Sequence, residues 1–376
     1  MSLITYLTNV KFGSRELSSL DAELTNLGIK RPLLIADRGV IAAGLLDKVG
    51  AAAPSIATAP VFGDTPSNPT EAAVRSALDQ YSANHCDGLI AIGGGSPIDL
   101  AKGVALLATH NEPLETFAAI LGGIPKITAR VAPVIAIPTT AGTGSEVGRA
   151  ALITLDDGRK LGFISPYLIP RLAICDPDLT VGMPAWLTAA TGMDAITHCL
   201  ETYLSPRYNP PAEAIALDGL ARAVAHIERA VADGSDLEAR SEMLMAALQG
   251  GLTFQKGLGA VHALSHPLGG LKEVSLHHGT LNAVLLPAVL RFNASAAPQK
   301  YARVRQVLGL PDDAHLAEWV RGLVSKIGMP GSLSAMGVAK AVFPEIAKAA
   351  VADHSSATNP RAVTAEDYAR MLEESF

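Results

Sequence analysis

An alternation of short β-branched runs with helical segments constrains the fold of the first half of the chain. The runs are RPLLIADRG (31–39), GLIAIGGG (88–95) and APVIAIPTT (132–140), and each ends in residues that favour a turn. Between the first two, TEAAVRSALDQYSAN (70–84) has helical periodicity. Strands separated by helices predict βαβ units and a parallel sheet buried on both faces. Such sheets bind ligands beyond the carboxyl ends of their strands.

The pattern changes after about residue 183. Pro184 suits a first helical turn, and Ala/Leu-rich segments without a strand pattern follow to the last residue. A chain of 376 residues is long enough for two domains. We therefore predict an α/β domain over residues 1–183 and an all-α domain over residues 184–376.

Composition and charge exclude several classes of protein. The net charge of −6 and the absence of a dense Lys/Arg block argue against nucleic-acid binding. The apolar run VAPVIAIP is far shorter than the roughly 20 residues of a membrane span. The N-terminus lacks the pattern of a signal peptide, and Cys86, Cys175 and Cys199 have no CxxC spacing. We expect a cytoplasmic protein with free thiols.

A glycine turn joins a strand to a helix in GLIAIGGGSPIDLAKGVAL (88–106). Three consecutive glycines let the backbone approach a ligand closely, and Ser96 and Pro97 resemble the N-cap and first residue of the helix. The free N–H groups and the dipole of a helix start favour an anion such as a pyrophosphate. An ordinary tight turn is the alternative for a glycine cluster taken alone.

A second polar loop, PTTAGTGSEV (138–147), follows another predicted strand and places Thr139, Thr140 and Thr143 among glycines. Two such loops on one sheet favour a nucleotide site over two unrelated turns. Asp37 ends the first predicted strand, where an acidic residue can bind the ribose 2′-OH and repel a 2′-phosphate. Asp37 therefore favours NAD over NADP, although an Asp that merely begins a turn is common. The GxGxxG pattern is absent.

Histidines and one aspartate in the second half have the spacing of metal ligands. Asp194 and His198 are four residues apart, as are His262 and His266, so each pair shares one helix face. A further pair, His277 and His278, precedes a glycine. One Asp and several His suit Fe²⁺, Zn²⁺, Co²⁺ or Ni²⁺. Any single His is more often a hydrogen-bonded core or surface residue, but the combination predicts a metal site.

A dinucleotide site and a metal site together predict hydride transfer. A Lewis-acid metal polarises the oxygen of an alcohol or aldehyde, while a nicotinamide accepts or donates the hydride. A non-enzymatic metal or nucleotide sensor is the alternative from another class of protein. Sensors commonly lose a ligand or gain an output domain, and neither feature is visible in this sequence.

The motifs GGGSPID, PTTAGTGSEV, GMDAITH, GAVHALSHPLGG and HHGTLNAVLLP resemble those of the iron-containing (group III) alcohol dehydrogenases, in the order of that family. The likeness runs nearly end to end. It implies a dehydroquinate-synthase-like fold, with an N-terminal nucleotide-binding domain, a helical metal-binding domain and, by analogy with the family, a homodimer. A dehydroquinate-synthase-like lyase is one alternative, which the apolar stretches near the metal residues disfavour. A glycerol dehydrogenase is another, which GGGSPID together with the Asp-containing metal helix disfavours.

The resemblance also implies roles for individual residues. The metal ligands would be Asp194, His198, His262 and His278, the last chosen over its neighbour because the family's ligand directly precedes a glycine. His266 would lie near the nicotinamide and substrate, where we expect it to relay a proton. The positions implied to contact the cofactor are Asp37, Asn68, Gly94, Gly95, Ser96, Asp99, Thr139, Thr140, Thr143, Lys160 and Leu179; for Asp99 a purely structural role is the alternative.

A narrower likeness, to the 4-hydroxybutyrate dehydrogenases of this family, rests on YLTNVKFG, DTPSNPTEA, LDDGRKLGF, FQKGLG and DHSSATNPR. It implies interconversion of 4-hydroxybutyrate and succinate semialdehyde with NAD. The substrate carboxylate then needs a cationic or hydrogen-bonding partner. The candidates are Lys256, Arg149, His354 and Ser355, each of which could instead be a surface or capping residue, and Phe254 should line the apolar part of the pocket. Another short-chain alcohol, diol or aldehyde, such as lactaldehyde or 1,3-propanediol, is the alternative substrate.

Overall fold

A computed structural model describes residue 4, residue 6 and residues 8–271 and 273–376 of the chain. The chain divides into two compact units. The sheet unit comprises Tyr6–Thr140 and Gly144–Gly182, and the helical unit comprises Met183–Phe376 together with Ala141–Thr143. The predicted class, an α/β domain plus an all-α domain, is confirmed. The division at residues 183 and 184 stays a prediction.

All strands of the described residues lie in the sheet unit. Their bounds are β1 Val10–Phe12, β2 Pro32–Ile35, β3 Val61–Phe62, β4 Gly88–Gly93, β5 Val134–Pro138, β6 Ala150–Thr154, β7 Lys160–Ile164 and β8 Leu172–Cys175. Six of them form one parallel sheet in the order β1-β8-β5-β4-β2-β3, and β6 and β7 pair as an antiparallel hairpin. The sequence predicted β2, β4 and β5 and missed the others.

The helices follow the same division. The sheet unit contains α1 Leu20–Leu27, α2 Arg38–Ala42, α3 Leu45–Ala52, α4 Glu71–Ala83 and α5 Gly95–Leu107. The helical unit contains α6 Ala185–Leu204, α7 Pro210–Ala232, α8 Leu237–Leu252, α9 Ala260–Leu268, α10 His278–Asn293, α11 Pro298–Val307, α12 Leu316–Lys326, α13 Phe343–Ala352 and α14 Ala365–Glu374. In the described residues, no helix is both long enough and apolar enough to span a membrane.

The central strands are apolar on both faces because helices cover both sides of the sheet. Along β4, Leu89 and Ala91 pack into one buried cluster with residues of α4 and α5. Ile90 and Ile92 point the other way and pack with residues of α1 and α3. Successive side chains of a strand alternate between faces, so this run without polar residues matches the prediction of a doubly covered parallel sheet.

The carboxyl ends of β4 and β5 lie side by side, since Gly93 pairs with Pro138 in the ladder and the Thr139 N–H donates to the Gly93 carbonyl at 3.0 Å. Gly93 has φ +144°, and a Cβ there would lie 2.7 Å from Pro97 Cγ, so the turn requires glycine. The two polar loops therefore begin at adjacent points of one sheet edge.

Two local predictions were wrong. Helix α5 has Gly94 as its N-cap, so Ser96 lies inside its first turn, where its hydroxyl donates to the Ser67 carbonyl at 2.6 Å. The strand over residues 32–35 is the second strand along the chain, not the first, and it ends before Asp37. Asp37 is the N-cap of α2 and accepts from the Val40 N–H at 2.8 Å.

Candidate metal centre and dinucleotide-binding loops

Helix α6 carries three polar side chains on one face inside the helical unit. Asp194, His198 and Glu201 are spaced by four and then three residues, so they lie along one side of the helix. All three are buried, as is every residue of α6 from Thr188 to Leu204. A carboxylate removed from water requires charged or hydrogen-bonding partners.

The glycine after His278 lets α10 begin directly against α6. A Cβ at Gly279 would lie 2.0 Å from a backbone carbonyl oxygen of α6, a distance that no side chain tolerates. This close approach places His278 Nε2 3.7 Å from Asp194 Oδ1. The His277 ring instead packs edge-on against an indole, with ring centroids 5.8 Å apart. The structure thus brings His278 rather than His277 to the aspartate.

Three imidazole nitrogens surround one oxygen of Asp194. His198 Nε2 lies 3.5 Å, His278 Nε2 3.7 Å and His262 Nε2 3.8 Å from Asp194 Oδ1. Tetrahedral ligands with bonds of about 2.1 Å to Fe²⁺ or Zn²⁺ are about 3.4 Å apart. The donor atoms of Asp194, His262 and His278 all lie within 4.8 Å of one another, and His198 Nε2 approaches the same aspartate, so the N₃O donor set has the chemistry that a divalent first-row ion prefers.

The cluster is strongly coupled electrostatically. Burial alone would raise the pKa of Asp194, but the imidazoles of His198, His262 and His278 outweigh it and hold the pKa well below its usual range. Burial lowers the pKa of His198 to about 4. Burial also opposes protonation of His262, yet the carboxylates of Glu201 and Asp194 raise its pKa to about 9. An anionic carboxylate is thus maintained in an apolar interior, as a cation site requires.

Further groups orient the imidazoles and the carboxylate. Glu201 Oε2 lies 2.6 Å from His262 Nδ1, and the Gly142 carbonyl lies 3.3 Å from His198 Nδ1. These contacts with Nδ1 direct Nε2 of each ring into the cluster. The Asn282 amide donates to Asp194 Oδ1 at 2.7 Å. Sequence reasoning missed these orienting groups, although Glu201 is one turn beyond His198 and Asn282 one turn beyond the α10 ligand.

His266 stands next to the cluster and has its own carboxylate partner. Its ring is stacked on the His278 ring, with centroids 5.7 Å apart and an interplanar angle of 9°. His266 Nδ1 lies 2.9 Å from Asp353 Oδ2. Burial opposes ionisation of Asp353, but His266 outweighs it and keeps the pKa of the carboxyl below its usual range. Asp353 was not predicted as a site residue.

The predicted cofactor residues at the sheet edge come together around the two loops. A Cβ at Gly94 would lie 3.0 Å from Thr140 Oγ1, so the turn before α5 and the loop after β5 are in contact. Gly95 and Thr139 flank this contact. Lys160 Nζ donates to Asn68 Oδ1 at 2.9 Å, and the carbonyl of the preceding Ser67 accepts from Ser96 in the first turn of α5. Backbone amides, hydroxyls and a helix start thus converge where a parallel sheet binds phosphates.

Two other predicted cofactor residues are held in structural contacts. Asp99 accepts from Ser145 Oγ at 2.5 Å and from the Leu152 N–H at 3.0 Å, which supports the structural alternative for it. Leu179 is buried in the turn after β8. Thr143 belongs by its contacts to the helical unit, together with Ala141 and Gly142.

Lys102 fixes the loop after β5, a role that the sequence did not reveal. Its buried ammonium donates to the carbonyls of Ser145, Gly148 and Ala150 at 2.7–2.9 Å. Burial lowers its pKa to about 8, an effect that Asp99 and Glu146 partly oppose.

Comparison with known proteins identifies the family. Residues 8–177 match the family described as iron-containing alcohol dehydrogenase, and residues 188–376 match the C-terminal part of the Fe-containing alcohol dehydrogenase family. The chain belongs to the iron-containing alcohol dehydrogenases. The relatives of this family member include the 4-hydroxybutyrate dehydrogenase of Cupriavidus necator, which is 55% identical over 100% of both chains.

Solved structures agree with this assignment. A 1,3-propanediol oxidoreductase has a TM-score of 0.93 and 36% identity, with 100% of both chains covered. The sulfoacetaldehyde reductase of Bifidobacterium kashiwanohense, solved in complex with NAD⁺, has a TM-score of 0.89 and 25% identity, covering 100% of this chain and 99% of that one. The dehydroquinate-synthase-like fold that the resemblance implied is thereby confirmed.

The predicted substrate role of Lys256 conflicts with its position in this alcohol dehydrogenase. The side chain is fully buried, and its ammonium donates to the carbonyls of Thr202, Tyr203 and Ser205 at 2.6–3.2 Å. Glu213 Oε1 is also 3.0 Å away. Lys256 therefore caps the C-terminus of α6, a favourable place for a cation, and its ammonium is not available to a substrate carboxylate.

Of the other predicted substrate residues, three lie in the helical unit near the ligand cluster and one lies in the sheet unit. Phe254 packs edge-on against the His198 ring, with centroids 4.8 Å apart, so an apolar wall borders the cluster as expected. His354 and Ser355 directly follow Asp353, the partner of the imidazole beside the cluster. Arg149 belongs to the sheet unit, just before β6.

The contact between Glu201 and His262 generates a prediction for metal binding. In Glu201→Gln, a neutral amide replaces the carboxylate that orients the ring, so we expect affinity for Zn²⁺ or Fe²⁺ to fall about 10- to 100-fold. Competition with a chromophoric chelator measures this affinity. Glu228→Gln, at an exposed position of α7, is the matched control and should bind like the wild type. Wild-type affinity in Glu201→Gln would contradict the orienting role.

Proposed function

We propose that the protein is an NAD-dependent, metal-dependent dehydrogenase that interconverts 4-hydroxybutyrate and succinate semialdehyde. The observation that carries the substrate is the 55% identity, over the whole of both chains, to the 4-hydroxybutyrate dehydrogenase of Cupriavidus necator. Iron is the proposed metal, with Zn²⁺ or another divalent ion as an alternative. We also propose a cytoplasmic enzyme that acts as a homodimer, as expected for the family.

Asp194, His198, His262 and His278 would hold the metal, since their donor atoms have the spacing and chemistry that one divalent ion needs. When bound, the metal would supply Lewis-acid chemistry at the substrate oxygen, and NAD would serve as the hydride carrier. Asn282 orients the Asp194 carboxylate by donating a hydrogen bond to its Oδ1. Phe254 excludes water beside His198 and contacts the apolar part of the substrate.

His266 is proposed to move the proton that accompanies hydride transfer. Its Nδ1 is hydrogen-bonded to the Asp353 carboxylate. The other ring nitrogen, Nε2, is therefore the atom that can exchange a proton with the substrate oxygen. A carboxylate that fixes the tautomer and orientation of an imidazole is a common arrangement in general acid–base catalysis. Asp353 thus acts as a positioning residue for His266.

The sheet unit is proposed to bind NAD. Gly94, Gly95, Ser96, Thr139 and Thr140 surround the joined carboxyl ends of β4 and β5, where amides and hydroxyls can bind a pyrophosphate. Further proposed contacts in this unit are Asp37, Asn68, Lys160 and Leu179, whereas Asp99 has the structural role described above. The NAD⁺ complex of the sulfoacetaldehyde reductase supports this choice of cofactor.

A second candidate function is the oxidation or reduction of an uncharged short-chain substrate such as a diol. The similarity to 1,3-propanediol oxidoreductase, with a TM-score of 0.93, favours it as the alternative. A sensor without catalysis is disfavoured because all four proposed ligand positions are filled and clustered.

Aldehyde preference tests the proposed substrate. Succinate semialdehyde and butyraldehyde differ chiefly in the distal carboxylate, and a hydrogen bond to a charged group contributes about 1.5–3 kcal/mol, or roughly 10- to 150-fold. We expect kcat/KM with NADH to favour succinate semialdehyde by at least about tenfold on metal-reconstituted protein. Equal or better use of butyraldehyde would support the second candidate function and contradict the first.

Asp37 generates a prediction about cofactor choice. Asp37→Asn retains an N-cap for α2 and removes the charge, whereas Asp37→Gly removes the side chain as well. Both changes should raise the ratio of NADP to NAD use, measured as kcat/KM for each cofactor, because the carboxylate repels a 2′-phosphate. Asp47→Asn, on the exposed side of α3, should leave the ratio unchanged. An unchanged ratio in both Asp37 variants would remove Asp37 from cofactor selection.

A further inference from the structure

Two residues beside Asp353 are the remaining candidate donors in the helical unit for the substrate carboxylate. A carboxylate that leaves water needs a donor, and the Lys256 ammonium is already occupied by backbone carbonyls and Glu213. His354 and Ser355 are the remaining sequence-predicted candidates in the helical unit. Both directly follow Asp353 in the chain, and Asp353 is hydrogen-bonded to His266, the imidazole next to the metal-ligand cluster.

Three imidazoles form a row that begins at the ligand cluster. The His278 and His266 rings are stacked, with centroids 5.7 Å apart and 9° between their planes. The His266 and His354 rings are also 5.7 Å apart, with 19° between their planes. The first ring belongs to a proposed metal ligand, and the last belongs to a side chain that is 46% exposed. The row therefore leads from the reacting centre to an accessible donor.

The length of this row suits a four-carbon acid. An extended 4-hydroxybutyrate spans about 6 Å between its reacting oxygen and its carboxylate, and a hydrogen bond adds about 3 Å. The resulting reach of about 9 Å is longer than one ring step of 5.7 Å and shorter than two. A substrate whose oxygen is held at the ligand cluster can thus place its carboxylate near His354.

The His354 ring can present an N–H to a ligand. Its Nδ1 lies 3.6 Å from Asp353 Oδ1, which is longer than a hydrogen bond. No other side-chain hydrogen bond holds this ring within the described part of the chain. The imidazole carries at least one N–H in every protonation state near neutral pH, so the ring can donate to a carboxylate oxygen without losing an internal hydrogen bond.

Ser355 provides a second, independent observation. Its side chain is 1% exposed, and among the described residues its hydroxyl oxygen has no hydrogen-bond partner. A buried hydroxyl without a partner is costly. Its backbone is fixed, since the Ser355 N–H donates to Asp353 Oδ1 at 2.8 Å. A carboxylate oxygen of a bound ligand would satisfy this hydroxyl.

We propose that His354, assisted by the Ser355 hydroxyl, binds the distal carboxylate of the substrate and makes the enzyme selective for a four-carbon ω-hydroxy or ω-oxo acid. The inference rests on the proposed function, because it assigns a residue to the carboxylate of that substrate. His354 is a specificity-determining residue in this account, whereas Asp353 positions the neighbouring His266.

The test compares His354→Leu with His354→Gln, Ser355→Ala and the wild type. For His354→Leu we expect kcat/KM for succinate semialdehyde to fall about 10- to 100-fold, mainly through KM, and kcat/KM for butyraldehyde to stay within about threefold. His354→Gln retains an N–H donor and should lose less. The matched control is His226→Leu on α7, where the ring lies 2.9 Å from the Arg222 carbonyl.

Competitive inhibitors provide a readout that does not depend on turnover of the acid. Butyrate carries the carboxylate without the reacting oxygen, and butyramide replaces the charge with an amide. We expect the inhibition constant of butyrate to rise about tenfold or more in His354→Leu, and that of butyramide to change much less. Ser355→Ala should weaken butyrate binding by a smaller factor.

The possible outcomes separate the two proposals. A wild type that does not prefer succinate semialdehyde over butyraldehyde contradicts the proposed function itself. A wild type that prefers the acid, with the same preference in His354→Leu, overturns only the assignment of His354. Equal losses on both aldehydes would show that His354 supports His266 instead. If His354→Leu does not fold, the same criteria apply to His354→Gln.

Discussion

The burial of one carboxylate, that of Asp194, is the constraint on which the helical unit depends. A lone carboxylate in an apolar core is prohibitively unfavourable, and three imidazoles with Nε2 within 3.8 Å compensate for it. The remaining features follow from this need. Gly279 allows α10 to touch α6, and Glu201 aligns an imidazole that comes from a third helix. The same imidazoles that stabilise the buried carboxylate give the cluster the donor chemistry of the proposed divalent-cation site.

In the sheet unit, the proposed ligand site is built from backbone groups and not from buried charged side chains as in the helical unit. The proposed ligand-binding edge of the sheet unit consists of strand ends, a glycine turn and a helix start, which offer N–H groups and a favourable dipole. The ammonium of Lys102 is occupied by hydrogen bonds to carbonyls of the loop after β5. A protein with a net charge of −6 can therefore still bind an anionic dinucleotide, because local geometry outweighs the overall field.

Patterns within one element were readable from the sequence, and contacts between distant elements were not. Periodicity predicted β2, β4, β5 and α4, and the i, i+4 spacing predicted the Asp194 and His198 pair. The short edge strands β1 and β3 contain three and two residues, too few for a pattern. Asp353 lies 87 positions from His266, so nothing local linked them. Lys256 was misjudged because its partners are backbone carbonyls, which leave no trace in sequence.

X-ray absorption spectroscopy of the iron-loaded protein tests the central claim most directly. The account predicts a first shell of three imidazole nitrogens and at least one carboxylate oxygen at about 2.0–2.2 Å, with one imidazole lost from the fitted shell in His278→Ala and an unchanged shell in His277→Ala. A shell with fewer than three imidazoles, or one that loses a ligand in His277→Ala instead, would contradict it.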